Sequence, residues 1–90
     1  MGKPILSVVI PCHNAAGTLA SLLEGISKQD LPKRDFEVII VDDCSSDNTA
    51  EIVAQFPFAI RIRLEKNSGP GFARNAGMAK GNGEIVLFLD

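Results

Sequence analysis

The stretch Glu37-Val-Ile-Ile-Val-Asp-Asp-Cys-Ser-Ser-Asp-Asn-Thr49 decides how the chain reads. Val38 to Val41 is a short, mostly β-branched run, the pattern of a strand buried on both faces. It leads directly into two carboxylates, Asp42 and Asp43, and then into a Ser/Asp/Asn cluster that suits a turn and a helix start. Acidic side chains at the carboxyl end of such a strand lie where open α/β sheets bind ligands. One segment therefore points both to a fold class and to the place of a site.

Outward from it, strands and helices alternate. A first strand is expected from Leu6 to Ile10, ended by Pro11, which has no N–H for the ladder. A helix follows over Thr18 to Lys28, with Leu19, Leu22, Leu23 and Ile26 on one stripe. Leu31-Pro32 should break it. The second strand is Phe36 to Val41. A second helix spans Asp47 to Phe56, capped by Ser45 or Ser46, with acidic Asp47 near its positive end. The third strand, Ala59 to Leu64, alternates Ile60, Ile62 and Leu64 with Arg61 and Arg63, so one face is wet and the strand belongs at an edge. Asn67-Ser-Gly-Pro-Gly71 opens a third helix over Phe72 to Lys80, whose small face, Ala73, Ala76 and Gly77, allows close approach to a sheet. Glu84 to Asp90 is an apolar strand that stops at a carboxylate.

Such alternation implies parallel strands joined by crossovers. The expected fold is α/β, a Rossmann-like parallel sheet of strand order 3-2-1-4 with helices on both faces. The half-polar third strand takes an edge, and the fourth should be covered on both faces. A topological switch point then lies between the first and fourth strands. Pro11-Cys-His-Asn14, Asp42-Asp43 and Asp90 all lie at that end. A lone Asp after a strand is an ordinary turn former; three on one rim point to a ligand.

Composition narrows the classes. Ninety residues make at most one small domain, and 46% hydrophobic with 22% charged residues is ordinary globular usage. A net charge of −2 leaves no footprint for nucleic acid. No apolar run approaches the ~20 residues of a membrane span, and the N-terminus does not read as a signal peptide. Met1-Gly2 hints at myristoylation, but Leu6 stands where Ser or Thr is needed. Cys12 and Cys44 make neither a disulfide framework nor a zinc spacing; two reduced thiols suit a cytoplasmic protein.

Four segments then occur in order: Ser7-Val-Val-Ile-Pro-Cys-His-Asn14, Val41-Asp-Asp-Cys-Ser-Ser-Asp-Asn-Thr49, Asn67-Ser-Gly-Pro-Gly-Phe-Ala-Arg-Asn-Ala-Gly77 and Gly83-Glu-Ile-Val-Leu-Phe-Leu-Asp90. With them the chain resembles, over essentially its whole length, the N-terminal half of inverting family 2 glycosyltransferases, which have the GT-A fold. The resemblance implies a nucleotide-sugar donor, a UDP-sugar ahead of others, and a divalent metal, Mg²⁺ or Mn²⁺, in the full-length enzyme. It places the base in a slot between the ends of the first two strands. There Asp43 accepts from the uracil ring N–H, since a carboxylate can only accept and so selects a base that offers a donor. Asp42 supports the loop, and the Pro11 backbone holds the other edge of the base. His13 stands where the family has an aromatic, either stacking on the base or serving as a plain loop residue. Asn14 belongs with this substrate-binding set. Arg74 neutralises donor charge or pairs with a rim carboxylate, and its loop feeds a helix N-terminus of the kind that attracts phosphate. Asp90 matches the first Asp of the family's Asp-x-Asp motif, with the second falling two residues on. No residue qualifies as the general base, so catalytic residues and metal ligands stay unassigned.

The resemblance thus implies that residues 1–90 are the nucleotide-sugar-binding half of a transferase domain, with the acceptor half absent and the chain inactive alone. A second class is a non-catalytic nucleotide-binding or self-associating α/β module. A receiver domain or Mg²⁺-dependent phosphatase would need its acidic pair after the first strand and a strand-end Lys. Without later elements, Ile85 to Leu89 would present an apolar edge of the kind that templates pairing, so a homo-oligomer through the last strand is expected.

Overall fold

The computed structural model describes residues 4–29, 35–66, 68–83 and 85–89. Four parallel strands, β1 (Leu6–Cys12), β2 (Phe36–Asp43), β3 (Ala59–Leu64) and β4 (Ile85–Phe88), form one sheet. Three helices, α1 (Ala16–Ser27), α2 (Thr49–Ala54) and α3 (Pro70–Lys80), connect them. The order is β3-β2-β1-β4, as the polarity of the strands implied.

Strand side chains alternate between the two faces, and the core divides accordingly. Val8, Ile10 and Cys12 of β1 and Phe36, Val38 and Ile40 of β2 pack with Leu19 and Leu23 of α1 and Val53 of α2. Val9, Ile39 and Val41 face the other way and pack with Ala73 of α3. Here α3 lies very close to the sheet. A Cβ on Gly77 would stand 2.3 Å from Val9 Cγ1 and 3.0 Å from Val41 Cγ2, so the small helix face is a steric requirement.

Several boundaries differ from expectation. β1 continues through Pro11, which pairs with Val41. The Val9 carbonyl accepts from Leu89 N–H on the β4 side. Pro11, two residues on, faces that same side beyond the last β1–β4 pair, Val9–Phe88, so its missing N–H interrupts no described pair. β2 likewise runs through both carboxylates, with Asp42 opposite Arg63 and Asp43 opposite Leu64. α2 is shorter than expected, Thr49–Ala54, and its N-cap is Asn48 without a side-chain bond. Neither Ser45 nor Ser46 caps it, because both bond to the β1–α1 loop instead. α1 starts at Ala16 and α3 at Pro70. The Leu31-Pro32 break lies outside the described residues, as do Glu84 and Asp90.

β4 departs most. It was expected to be covered on both faces, yet Ile85 is 58% and Leu87 45% exposed. Among the described residues it is an edge strand with β1 as its partner. The Gly81-Asn82-Gly83 turn sets where it begins. Ser7 Oγ donates to Glu37 Oε2 (2.5 Å) and accepts from Gly83 N–H (2.7 Å), while Asn82 N–H donates to the same Glu37 oxygen (2.6 Å). Ser7 is fully buried, and this clip joins the turn after α3 to the starts of β1 and β2.

Candidate functional site

The carboxyl ends of β1 and β2 carry two loops that are bonded to each other. Asn14 N–H donates to Ser45 Oγ (3.0 Å), and Asn14 Oδ1 accepts from Ser46 N–H (2.8 Å). Asp47 Oδ2 accepts from Ala16 N–H (3.2 Å), and its Oδ1 accepts from Thr49 N–H (3.1 Å) and from the Thr49 hydroxyl. That hydroxyl bond, foremost, holds the Asp47 carboxyl below its ordinary pKa. Asn14 adopts φ +50°, a left-handed conformation that Asn tolerates.

His13 lies on the same rim. Its Nδ1 is 2.7 Å from the Asp43 carbonyl oxygen. A carbonyl can only accept, so Nδ1 carries a proton, and in the neutral tautomer Nε2 is the acceptor. Asn14 Nδ2 lies 3.4 Å from Nε2, a long contact consistent with that tautomer. The exposed imidazole is therefore tied to the backbone of the residue that ends β2.

Asp42 and Asp43 point to opposite faces and do different things. Asp42, 1% exposed, turns to the α1/α2 face. Its Oδ1 accepts from Ser45 N–H (2.8 Å), and its Oδ2 meets Arg61 Nη1 (2.9 Å) and Arg63 Nη1 (3.5 Å). Arg63 also donates to the Ser45 carbonyl (3.1 Å). Asp42 thus shapes the turn after β2, which contains Cys44 at φ +60°. Asp43, 4% exposed, turns to the α3 face. Its Oδ1 accepts from Ser68 N–H (2.8 Å) and its Oδ2 from Gly69 N–H (2.9 Å). Gly69 has φ +91°, which only glycine adopts without strain.

The set expected from the sequence is partly assembled. Pro11, His13, Asn14 and Asp43 share one rim at the ends of β1 and β2. Arg74 is half-buried in α3, the helix that the segment anchored by Asp43 leads into. Asp90 lies outside the described residues. Arg61 and Arg63 lie on the exposed face expected of β3 and also pair with Asp42. Sequence contained the signal, two arginines at a spacing of two on the strand beside β2, but the pairing needs the β2–β3 register. An open groove of about 670 Å³ adjoins the Asp43 anchor, lined by Arg63, Leu64, Lys66, Ser68 and Phe72 among others.

The two acidic side chains turn to opposite faces of the sheet, so they do not converge on one cation. Among the described residues no group of three His, Cys, Asp or Glu side chains could hold a metal. Cys12 is buried, which raises its thiol pKa and removes it as a nucleophile. No helix among the described residues is long and apolar enough to cross a membrane.

A model of glycosyl transferase family 2 matches residues 7–90. The chain belongs to that family. Poly(ribitol-phosphate) beta-N-acetylglucosaminyltransferase TarS of Staphylococcus aureus is 43% identical over 88 residues, covering 93% of this chain and 15% of TarS. Glycosyltransferase AglE of Haloferax volcanii is 38% identical over 91 residues, 97% of this chain and 30% of AglE. This chain therefore spans less than a third of either relative. Among solved structures, an N-terminal piece of S. aureus TarS in complex with UDP-GlcNAc superposes with a TM-score of 0.92 at 42% identity, covering 99% of this chain and 26% of that one. A mannosyltransferase from Pyrobaculum calidifontis, in complex with GDP-Man and Mn²⁺, gives 0.84 at 27% identity, covering 96% and 27%. The sheet is the Rossmann-like sheet of the GT-A fold, with the strand order shared by these family members. Membership disfavours the alternative of a non-catalytic α/β module.

Proposed function

We propose that residues 1–90 form the nucleotide-binding half of an inverting glycosyltransferase domain that moves a sugar from a UDP-sugar to an acceptor. The observation that carries this reading is the Asp43 carboxylate. It ends β2 beside His13, and each oxygen accepts one internal bond, while an ionised carboxylate has about four acceptor sites. Its likeness to TarS, solved in complex with UDP-GlcNAc, supports the choice of donor.

In this reading the base enters between the Pro11–His13 segment and the end of β2. Asp43 accepts from the ring N–H, the Pro11 backbone holds the other edge, and His13, fixed through Nδ1, stacks on the ring. Asn14 acts through the loops, because its Oδ1 is already given to Ser46. Arg74 balances donor charge, and Asp90 meets the ribose or the metal. A divalent metal is supported by the Mn²⁺ in the P. calidifontis complex; the described residues supply no site for it. Acceptor and general base are assigned to residues outside these 90. Self-association through β4 has its support in exposed Ile85 and Leu87, and sedimentation of wild type against Leu87→Lys decides it. A cytoplasmic location rests on the two free cysteines.

A transfer assay tests the division of labour. With UDP-sugars and Mn²⁺, the 90-residue chain should release no UDP above blank, and the full-length protein should turn over. Sustained turnover by the 90 residues alone would overturn the assignment of acceptor and base to other segments.

A further inference from the structure

We propose that Asp43 is a positioning residue as well as a base reader: its carboxylate anchors the Ser68-Gly69 segment, so that reading the base and holding the segment that enters α3 are coupled. This rests on the proposed function for the base and on the structure for the anchor. Two successive backbone N–H groups, Ser68 at 2.8 Å and Gly69 at 2.9 Å, take one oxygen each. The Ser68 hydroxyl turns elsewhere, donating to the Lys66 carbonyl (3.1 Å), so the anchor is made by backbone. Gly69, at φ +91°, lies in a region that few residues favour, and the carboxylate bonds the N–H at that bend. On its other side the Asp43 backbone is tied to His13. Asp43 is therefore bonded both to the β1–α1 loop and to the segment before α3.

The two backbone donors fix the orientation of the carboxylate, so its remaining acceptor sites meet a base N–H already aligned. By linkage, whatever factor the anchor contributes to base affinity, the base contributes to the anchor. The segment abuts the groove lined by Leu64, Lys66 and Phe72, so the coupling extends from the β1–β2 slot to the α3 side of the site.

The test uses two ligands, UDP and UDP methylated at the ring N3, which lacks the donor, and two proteins, wild type and Asp43→Asn. Asn keeps one acceptor and turns an amide N–H₂ toward a backbone N–H. Calorimetry should show that methylation weakens binding to wild type. It should also show Asp43→Asn binding the methylated ligand about tenfold more weakly than wild type does, the loss of a charge-assisted bond, although that ligand offers Asp43 no proton. Equal affinity of both proteins for methylated UDP would overturn the positioning role and leave Asp43 a base reader only. Equal affinity of wild type for both ligands would instead overturn the base reading on which the coupling rests. Amide exchange guards against a variant that fails to fold. In wild type, Ser68 and Gly69 amides should be protected, and more so with UDP than with methylated UDP. In a folded Asp43→Asn they should be released while Val38 to Val41 stay protected. Unprotected Ser68 and Gly69 amides in wild type would overturn the anchor.

Discussion

Asp42 shows what a single buried carboxylate does here. Surface ion pairs contribute little, but Asp42 is 1% exposed and also bonds Ser45 N–H. Asp42→Ala should lower stability by about 1–3 kcal/mol, the loss of a charge-assisted bond discounted for half-exposed arginines; an unchanged urea midpoint would contradict this. Cys44 lies one residue beyond the acidic pair at φ +60°, where a Cβ is disfavoured. Cys44→Gly should raise stability by about 1 kcal/mol, seen as a higher Tm; a fall would mean that the bond from its Sγ to the Glu65 carbonyl outweighs the strain. Asp47 gives the pH dependence. Its folded pKa is depressed, chiefly by Thr49, so its contribution is present above the unfolded value and is lost as pH falls through the folded one. Stability should decline below about pH 4, and Asp47→Asn should flatten that limb in denaturation series at several pH values. The place of the acidic pair, at the carboxyl end of an apolar strand, was legible in sequence. Its partners were not, since they come from β3 and the loop before α3 and depend on register.

At the scale of elements, strand polarity sufficed for the order β3-β2-β1-β4, because burial on two faces, one face or neither leaves its mark on composition. Ends were less legible. Pro11 reads as a stop, yet it is tolerated where β1 faces no described β4 partner. α2 starts two residues later than expected because Ser45 and Ser46 bond across to Asn14, and such a competition between loops has no local signature. The Gly81-Asn82-Gly83 turn ends α3, and its glycines also make room for Ser7. A Cβ on Gly83 would stand 2.6 Å from Ser7 N and 2.7 Å from Ser7 Oγ. Gly83→Ala should therefore cost about 1–3 kcal/mol or more and speed amide exchange in β4 before the rest of the sheet. Unaltered exchange at Ile85 to Phe88 would mean that the Ser7–Glu37 clip does not hold the strand.

Taken whole, the molecule places α1 and α2 on one face of the sheet and α3 on the other. The two acidic side chains of one strand are thereby divided between the face where Asp42 meets the β3 arginines and the face where the proposed function has Asp43 meet the base. Asp42, among arginines, stiffens the turn; Asp43, toward α3, is left with acceptor capacity at the end of the sheet where open α/β folds take ligands. That division keeps the adjacent carboxylates from converging on one ligand. A carboxylate at this place favours a base that presents a ring N–H and disfavours one that presents a lone pair there. Uracil presents the N–H; cytosine presents the lone pair. The most direct measurement is calorimetric titration of the protein with UDP and with CDP, in Mn²⁺, on wild type and Asp43→Ala. UDP should bind wild type about tenfold or more tighter than CDP, as for a charge-assisted hydrogen bond, and Asp43→Ala should erase most of that preference. Equal affinities for UDP and CDP in wild type, or an undiminished preference in Asp43→Ala, would contradict it.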